Sequence, residues 1–205
     1  MNKIKSIVVF GGNGWVGTSV VRALLRKGAS VTVVSRTGAP KGKKQEWHDN
    51  VNWRTFNLEN YKDKKSKTSL LELLTGEGEE NGGGETTCGV VSCVGTFGDP
   101  PLDQESMYEQ NGLTNAFLAT TAKEAGVKNF SFISAHQYPV AKQTVFKGYY
   151  RGKLHAETTI QSCQFDSCTI LRPGFISGTR DGIPLWLAGT PMSTLFRSSA
   201  MKAGR

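Results

Sequence analysis

Several kinds of protein are excluded by what this sequence has little of. Its uninterrupted apolar runs are the size of a strand, as at residues 7–10, whereas a membrane span needs roughly 18 or more such residues. Only three histidines and four cysteines occur, and Cys88, Cys93, Cys163 and Cys168 form no CxxC pair. This spacing argues against a zinc site and a disulfide framework. We therefore expect a soluble or membrane-peripheral chain with reduced thiols and no bound metal.

Acidic residues are also in the minority. The 17 aspartates and glutamates stand against 25 lysines and arginines, which leaves a net charge of +8 at pH 7. Such a charge suits nucleic acid, an anionic membrane surface or a phosphorylated ligand. The basic runs at residues 41–44 and 62–67 lack interleaved aromatic side chains, which disfavours nucleic acid as a partner. Peripheral membrane contact and an anionic ligand stay open.

The sequence alternates between two hydrophobic patterns. Short β-branched runs predict strands at residues 6–10, 30–35, 52–56, 89–94, 129–134 and 167–171. Stretches of helical period between them predict helices at residues 17–27, 64–74, 107–125 and 149–161. This alternation is typical of βαβ units around a parallel sheet. We expect an α/β, doubly wound parallel-sheet fold in a single domain, residues 1–205.

One segment departs from this alternation. Residues 76–87 read GEGEENGGGETT, which is too polar and too rich in glycine to pack into a core. The segment connects a predicted helix to the next strand, so it emerges at the amino edge of the sheet, whereas ligands bind at the carboxyl edge. It is predicted to be a flexible insertion remote from the site.

A glycine motif directly follows the first predicted strand. It reads Gly11-Gly12-Asn13-Gly14-Trp15-Val16-Gly17, which contains both GxGxxG and GxxGxxG. In a dinucleotide site one glycine makes a tight turn, one admits the pyrophosphate to backbone N–H groups, and one lets helix and strand pack closely. Because the motif stands between a strand and a helix, it predicts a Rossmann fold with residues 11–17 at the cofactor.

The end of the second predicted strand bears on the choice of cofactor. An acidic side chain about 18 to 20 residues past the last glycine would bind the ribose 2′-hydroxyl of NAD. Ser35 and Arg36 stand there instead, and a hydroxyl followed by a guanidinium suits a 2′-phosphate. The lysines of residues 41–44 would add positive potential. NADP(H) is therefore preferred over NAD(H), with stacking on adenine or solvation as the alternative role of Arg36.

Candidate catalytic residues surround the fifth predicted strand. Tyr149 and Lys153 share one face of the predicted helix that follows it. The ammonium group would lower the pKa of the phenol toward the range that proton transfer needs. Ser134, at the end of the strand, would donate a hydrogen bond to a carbonyl oxygen that gains charge. Asn111 would anchor a water or a backbone bend behind the lysine.

These stretches resemble successive signatures of the atypical and extended short-chain dehydrogenases/reductases. The matching residues are 11–17, Asn111-Gly112 with Asn115, Ser134-Ala135, Tyr149 to Lys153, Ala156-Glu157 and Leu171-Arg172-Pro173-Gly174. The stretches at 148–157 and 170–180 resemble an organellar subgroup with plastid members and the mitochondrial reductase-like protein of coenzyme Q assembly. The nucleotide-binding accessory subunit of respiratory complex I is a more distant relative.

The resemblance implies cofactor contacts along most of the chain. They are implied at Gly11, Gly14, Gly17, Arg36, Tyr149, Lys153 and Pro173. Asn57 and Leu58 stand where the family commonly has Asp-Leu facing adenine, and an amide would replace the carboxylate there. Cys93, Val94 and Gly95, at the end of the fourth predicted strand, complete the predicted cofactor site.

The family pattern also implies a small carboxyl-terminal substrate lobe, which we expect to be truncated here. Residues 179–205 would be its remnant or a partner-facing tail. Met1 stands almost directly before the first predicted strand, so we expect no leader peptide in this chain.

Two functions remain open. The first is an NADP(H)-dependent oxidoreductase that reduces a carbonyl substrate. The second is a catalytically silent, nucleotide-binding accessory subunit of an organellar membrane complex. The resemblance suggests a mitochondrial location first and a plastid location second.

Overall fold

The structure, a computed structural model, describes residues 6–40, 45–76, 87–96, 103–138, 146–174 and 176, and the backbone of residues 179–180 and 183–184. Contacts between residues divide the chain into two compact units, residues 1–172 and 173–205. Of the predicted insertion, residues 77–86 lie outside the described part. Most of the predicted tail, from residue 185 onward, lies outside it as well.

Parallel strands and helices alternate in the first unit. Its strands are β1 (Ser6–Phe10), β2 (Ser30–Ser35), β3 (Val51–Thr55), β4 (Gly89–Ser92), β5 (Asn129–Ile133) and β6 (Ser167–Leu171). Its α-helices are α1 (Trp15–Arg26), α2 (Lys64–Thr75), α3 (Gln104–Tyr108), α4 (Thr114–Glu124) and α5 (Lys147–Ser162). Short 3₁₀ helices lie at Glu46–Asn50 and Leu58–Asn60, and a π-helical turn at Glu109–Leu113 joins α3 to α4.

The sheet has the order β3-β2-β1-β4-β5-β6, and each neighbouring pair is parallel. The chain builds outward from β1 to β3 and then returns to the other side of β1. This reversal creates a crevice between the carboxyl ends of β1 and β4, where doubly wound sheets bind their ligands. The predicted α/β fold is confirmed.

Successive side chains of β1 supply two separate cores. Val8 and Phe10 belong to the larger core, together with Phe130 and Phe132 of β5. Val9 points to the opposite face and joins the smaller core beneath α1. Because side chains alternate along a strand, a run that is apolar throughout buries both faces. This central position explains why residues 7–10 of the strand are all apolar.

The largest difference from the predicted elements lies in the third helix. It begins at Gln104, where Asp103 accepts a hydrogen bond from the Glu105 N–H as an N-cap. A π-helical turn then interrupts it at Glu109–Leu113, and π turns often occur at functional sites. The apolar period of the sequence predicts one continuous helix over residues 107–125, so this interruption was not foreseen.

Glycines bring α5 into backbone contact with the α3 region. A Cβ added to Gly148 would lie 2.0 Å from the carbonyl oxygen of Gln104. At Gly152 it would lie 2.9 Å from the carbonyl oxygen of Tyr108, and at Gly112 it would lie 2.9 Å from the Gly152 Cα. No side chain fits between the helices here. This close packing determines how closely α5 approaches the α3 region.

The second unit contains a two-stranded antiparallel ladder, β7 (Thr179–Arg180) with β8 (Ile183–Pro184). None of the helices in the described part of the chain is both long enough and apolar enough to cross a membrane.

Candidate functional site

The glycine turn begins where β1 ends. Gly11 has a φ of +75°, a conformation that favours glycine. Its carbonyl oxygen accepts a hydrogen bond from the Gly14 N–H at 2.9 Å, and the Gly14 carbonyl accepts from the Thr18 N–H at 2.8 Å. The turn thus leads directly into α1. Its position after a parallel strand and before a helix is that of a phosphate-binding loop.

The other glycines of the motif differ in what surrounds them. A Cβ on Gly12 would lie 2.5 Å from the Val33 side chain, and one on Gly17 would lie 2.2 Å from the Gly11 carbonyl oxygen. These two glycines serve packing inside the fold. A Cβ on Gly14 would meet only the Gly11 carbonyl oxygen, at 3.1 Å. Among these three, Gly14 is the glycine that leaves its open side to a ligand.

A cavity of about 330 Å³ lies at the carboxyl edge beside this turn. The predicted site residues that line it are Gly11, Asn13, Gly14, Ser35, Arg36, Asn57, Leu58, Cys93, Val94 and Gly95. The lining also includes residues outside the sequence motifs, namely Phe10, Val34, Thr37, Phe56, Glu59, Thr96, Gln110 and Thr114. Its volume falls in the range of about 300 to 1,000 Å³ that is usual for small-molecule sites.

Other predicted cofactor residues are not part of this lining. They are Gly12, Trp15, Val16, Gly17, Tyr149 and Lys153. Pro173 belongs to the second unit, so its predicted contact stays a prediction.

The turn after β2 uses Ser35 differently from the prediction. The Ser35 hydroxyl donates to the Gly38 carbonyl oxygen at 2.8 Å, and the Asn13 amide donates to Ser35 at 2.9 Å and to Gly38 at 2.6 Å. These bonds join the β2 turn to the glycine turn. Because the Ser35 proton is used within the protein, this arrangement leaves it none to donate to a phosphate.

Arg36 pairs with an acid in the short 3₁₀ helix that follows β3. Its guanidinium Nη1 lies 2.8 Å from the Glu59 carboxylate, and the two side chains are 68% and 41% exposed. Asn57 accepts a hydrogen bond from the Glu59 N–H at 3.1 Å, which holds the acid in place. The sequence motifs at the ends of the second and third strands do not include Glu59. Its position two residues past Asn57, at the same sheet edge, was the available signal.

Lys153 is buried between the ends of two strands. Its Nζ donates to the carbonyl oxygens of Val94 at 3.1 Å and Ile133 at 3.0 Å. It lies 5.9 Å from the centre of the Tyr149 ring. Burial lowers the pKa of Lys153 to about 8. A Cβ on Gly95, a residue of the cavity wall, would lie 2.8 Å from this Nζ, so the amine stands directly behind the wall.

The effect expected on Tyr149 has the opposite direction. Burial raises the pKa of Tyr149 well above its ordinary value of 10, and the nearby Tyr150 raises it further. The predicted lowering of this pKa by Lys153 is not seen, because burial favours the neutral form of the phenol. In this state Tyr149 holds its proton and is suited to donate it.

Ser134 is bonded to a buried ion pair. Its hydroxyl donates to the Glu157 carboxylate, which also accepts from the Arg172 guanidinium at 2.6 Å and 2.9 Å. Glu157 is nearly inaccessible to solvent, whereas the Arg172 side chain is half exposed. The proton expected to polarise a substrate carbonyl is thus directed into the protein. Glu157 and Arg172 belong to the stretches that carry the family resemblance, but the sequence does not indicate their link to Ser134.

Asn111 anchors a backbone segment, one of its two predicted roles. Its amide donates to the carbonyl oxygens of Thr96 at 2.7 Å and Met107 at 2.8 Å, and its oxygen accepts from the Thr96 N–H at 3.1 Å. Because Asn111 sits in the π turn, the extra residue places it opposite the segment that follows β4. The two bonds to Thr96 hold the segment that follows β4 at the cavity wall.

The thiols and acids of the described ranges offer no metal site, since no group of three or more His, Cys, Asp and Glu comes together there. The four cysteines are free. Burial raises the pKa of Cys93 to about 12, so this cavity-lining thiol is protonated.

A family model described as NAD(P)H-binding matches residues 11–185, which span the glycine turn, the cavity and the Tyr149–Lys153 pair. The chain belongs to this NAD(P)H-binding family. Its fold is that of the short-chain dehydrogenases/reductases, as predicted from the motifs.

The relatives include a chloroplastic and a mitochondrial protein. A chloroplastic protein of Arabidopsis thaliana, described as uncharacterized, is 34% identical over 96% of this chain and 60% of its own length. A Saccharomyces cerevisiae protein, MIOREX complex component 2, is 27% identical over 84% of this chain and 73% of its own length. The mitochondrial protein fmp-52 of Neurospora crassa is 48% identical over 45% of this chain and 38% of its own length.

Solved structures share the fold. The Bordetella bronchiseptica enzyme WbmH, in complex with NAD⁺, superimposes with a TM-score of 0.64 at 16% identity, over 98% of this chain and 64% of that chain. A short-chain dehydrogenase/reductase superfamily protein from Agrobacterium tumefaciens with bound NAD gives a TM-score of 0.56 at 22% identity, over 82% and 48% of the two chains. The chain thus spans less than two thirds of these structures and of the Arabidopsis relative.

Proposed function

We propose that this chain binds NADP(H) in the cavity and reduces a carbonyl group beside Tyr149. The adenosine part would lie between residues 35–36 and 56–59. The pyrophosphate would lie against residues 11–14, and the nicotinamide near residues 94–96. The fit rests on the cavity volume and on the open side of Gly14, where a Cβ would stand in the space facing the ligand.

The observation that best supports chemistry is the position of Lys153. Its amine joins the carboxyl ends of β4 and β5 and touches the cavity wall at Gly95 from behind. Tyr149 lies one helical turn earlier on the same face of α5. A protonated phenol and a buried amine at the nicotinamide end of a dinucleotide cavity suit proton transfer coupled to hydride transfer.

The cofactor and three side chains would each have a separate role in the proposed reaction. Bound NADPH would supply the hydride to the carbonyl carbon. Tyr149 would give its proton to the carbonyl oxygen, because burial keeps the phenol protonated. Lys153 would then stabilise the phenolate that remains. Ser134 would polarise the carbonyl only after its bond to Glu157 opens.

The preference for NADP(H) is supported by Arg36. The guanidinium lines the cavity and is largely exposed, so it is able to meet a 2′-phosphate there. Charge-assisted bonds to a phosphate contribute about 1.5 to 3 kcal/mol each, which is more than an exposed ion pair provides. Arg36→Asp should therefore reverse the order of NADPH and NADH affinities in a calorimetric titration.

A two-variant experiment tests the oxidoreductase. Gly14→Val should prevent NADPH binding by steric exclusion, while thermal unfolding shows that the fold survives. Tyr149→Phe should abolish turnover over a panel of aldehydes and ketones and leave the NADPH dissociation constant within about twofold, because the phenol acts mainly in the transition state. Unchanged NADPH affinity in a folded Gly14→Val protein would reject the site.

A second candidate function is a dinucleotide-holding subunit of an organellar assembly. Two observations favour it: the Ser134 proton is committed to Glu157, and one relative bears the name of a complex component. Bound cofactor would then act as a stabilising ligand. We also infer an organellar location, mitochondrial first and plastid second, from the sequence resemblance and from two relatives whose names give a chloroplast and a mitochondrion.

The two candidates give opposite results in one assay. Under the subunit hypothesis, Tyr149→Phe assembles normally into a larger complex in organelle extracts, and Gly14→Val assembles poorly. Absence of turnover on every carbonyl tested, together with normal assembly of Tyr149→Phe, would reject the enzyme. A wild-type protein that migrates alone and oxidises NADPH with a carbonyl would reject the subunit.

A further inference from the structure

An acidic side chain stands at the place where a 2′-phosphate would bind. Arg36 and Glu59 both line the cavity, and their charged atoms are 2.8 Å apart. The pair therefore carries no net charge where the sequence alone showed only an arginine. A phosphate that binds Arg36 would have to displace this carboxylate and would approach its negative charge.

Arg36 and Glu59 differ in how firmly the protein holds them. Glu59 belongs to the short 3₁₀ helix Leu58–Asn60, which Asn57 caps and which the buried Leu58 anchors to the core. A further bond holds the chain just beyond it, since the Tyr61 hydroxyl donates to the Glu109 carboxylate at 3.0 Å. Arg36 has a long side chain that is 68% exposed. The acid is thus the stationary partner, and the guanidinium is able to move.

We infer that Glu59 determines how strongly the site discriminates between NADP(H) and NAD(H), by holding Arg36 and by repelling the 2′-phosphate. With NAD(H), whose ribose carries a neutral hydroxyl, the Arg36–Glu59 pair stays intact. Binding of NAD(H) therefore does not require the loss of this ion pair. With NADP(H), Arg36 must leave Glu59 for the phosphate, and the carboxylate remains close to the new charge. This inference rests on the proposed dinucleotide site, and it concerns a residue outside the glycine motif and the end of β2.

Short probes isolate the adenosine end. Adenosine 2′,5′-bisphosphate and adenosine 5′-monophosphate differ only by the 2′-phosphate, so their affinities report on this end without the nicotinamide. Glu59→Gln removes the charge and keeps the size of the side chain. It should tighten the bisphosphate about three- to tenfold, as expected from the loss of one exposed ion pair and one repulsion, and change the monophosphate less than about twofold.

Two further variants make the test specific. Arg36→Gln should weaken the bisphosphate about tenfold, and adding Glu59→Gln to it should give a smaller gain than Glu59→Gln gives alone, because the competition for the guanidinium is gone. Lys67 and Glu124 form a similar exposed pair at 2.6 Å, with 48% and 50% exposure, away from the cavity lining. Glu124→Gln is the matched control and should leave both probes unchanged.

Each alternative outcome has a distinct meaning. An equal tightening of both probes in Glu59→Gln would overturn the inference, because the acid would then act on the adenosine as a whole. No change in either probe would overturn it too. Equal gains from Glu59→Gln with and without Arg36 would show direct repulsion alone and reject the competition. A wild-type protein that binds neither the probes nor NADPH would overturn the proposed function itself.

Discussion

The two ends of the candidate site are built in opposite ways. At the adenosine end, Arg36 and Glu59 pair through exposed side chains at an open cavity. At the other end, the Lys153 amine is buried and held by carbonyl oxygens of two strands. An exposed pair is weak and exchanges readily with a ligand, whereas buried polar groups keep the partners that the protein supplies. The open end suits selection among ligands, and the buried end suits chemistry that needs one geometry.

The largest expected effect comes from the helix contact that supports the buried end. Gly148→Ala would place a Cβ about 2.0 Å from the Gln104 carbonyl oxygen, so α5 must shift. We expect a loss of about 3 kcal/mol or more in the free energy of unfolding, measured with urea. Gly89→Ala is the control, because its Cβ would make ordinary contacts, 3.4 Å from the Asn129 Cβ. Equal stability of both variants would mean that the helices separate at little cost.

The second prediction concerns the pH dependence of the buried end. The pKa of Lys153 is about 8 in the folded protein, against an ordinary value of 10.5. Between these two values the unfolded chain binds a proton that the folded chain does not. Stability should therefore rise with pH across this window, by up to about 3 kcal/mol, relative to a variant without the amine.

Lys153→Met provides that comparison. It loses the bonds to Val94 and Ile133 at every pH, so only the slope of stability against pH is compared between the two proteins. Chemical denaturation at both ends of the window measures the slope. Parallel curves of stability against pH would show that the Lys153 amine is solvated and has its ordinary pKa.

The smallest expected effect compares two ion pairs, Arg172–Glu157 and Arg36–Glu59. Arg172→Ala leaves the nearly inaccessible Glu157 carboxylate without its guanidinium, which should cost about 2 kcal/mol, a value lowered because Arg172 itself is half exposed. Arg36→Ala breaks an exposed pair and should cost less than about 1 kcal/mol. Urea unfolding of both variants measures the difference. Similar losses of stability in the two variants would show that the burial of Glu157 does not strengthen its ion pair with Arg172.

Much of the fold was predictable because its signals are local. Strands β1, β2 and β6 lie at the predicted residues, since short apolar runs bounded by turn residues mark buried strands. The glycine motif also predicted its own turn, with Gly11 in a conformation that favours glycine. The π turn at Glu109–Leu113 was not predictable, because it is accompanied by bonds of Asn111 to Thr96, a residue outside the helix that local periodicity does not report.

The sequence by itself determined the α/β alternation, the glycine turn and the pairing of Tyr149 with Lys153 on one helix face. Periodicity and backbone conformation depend on neighbouring residues, and these features need nothing more. Only the tertiary structure decided the partners: Glu59 for Arg36, Glu157 for Ser134, and strand carbonyls for Lys153. Charge pairing and burial depend on which elements the fold brings together, and burial reversed the expected direction of the Tyr149 pKa.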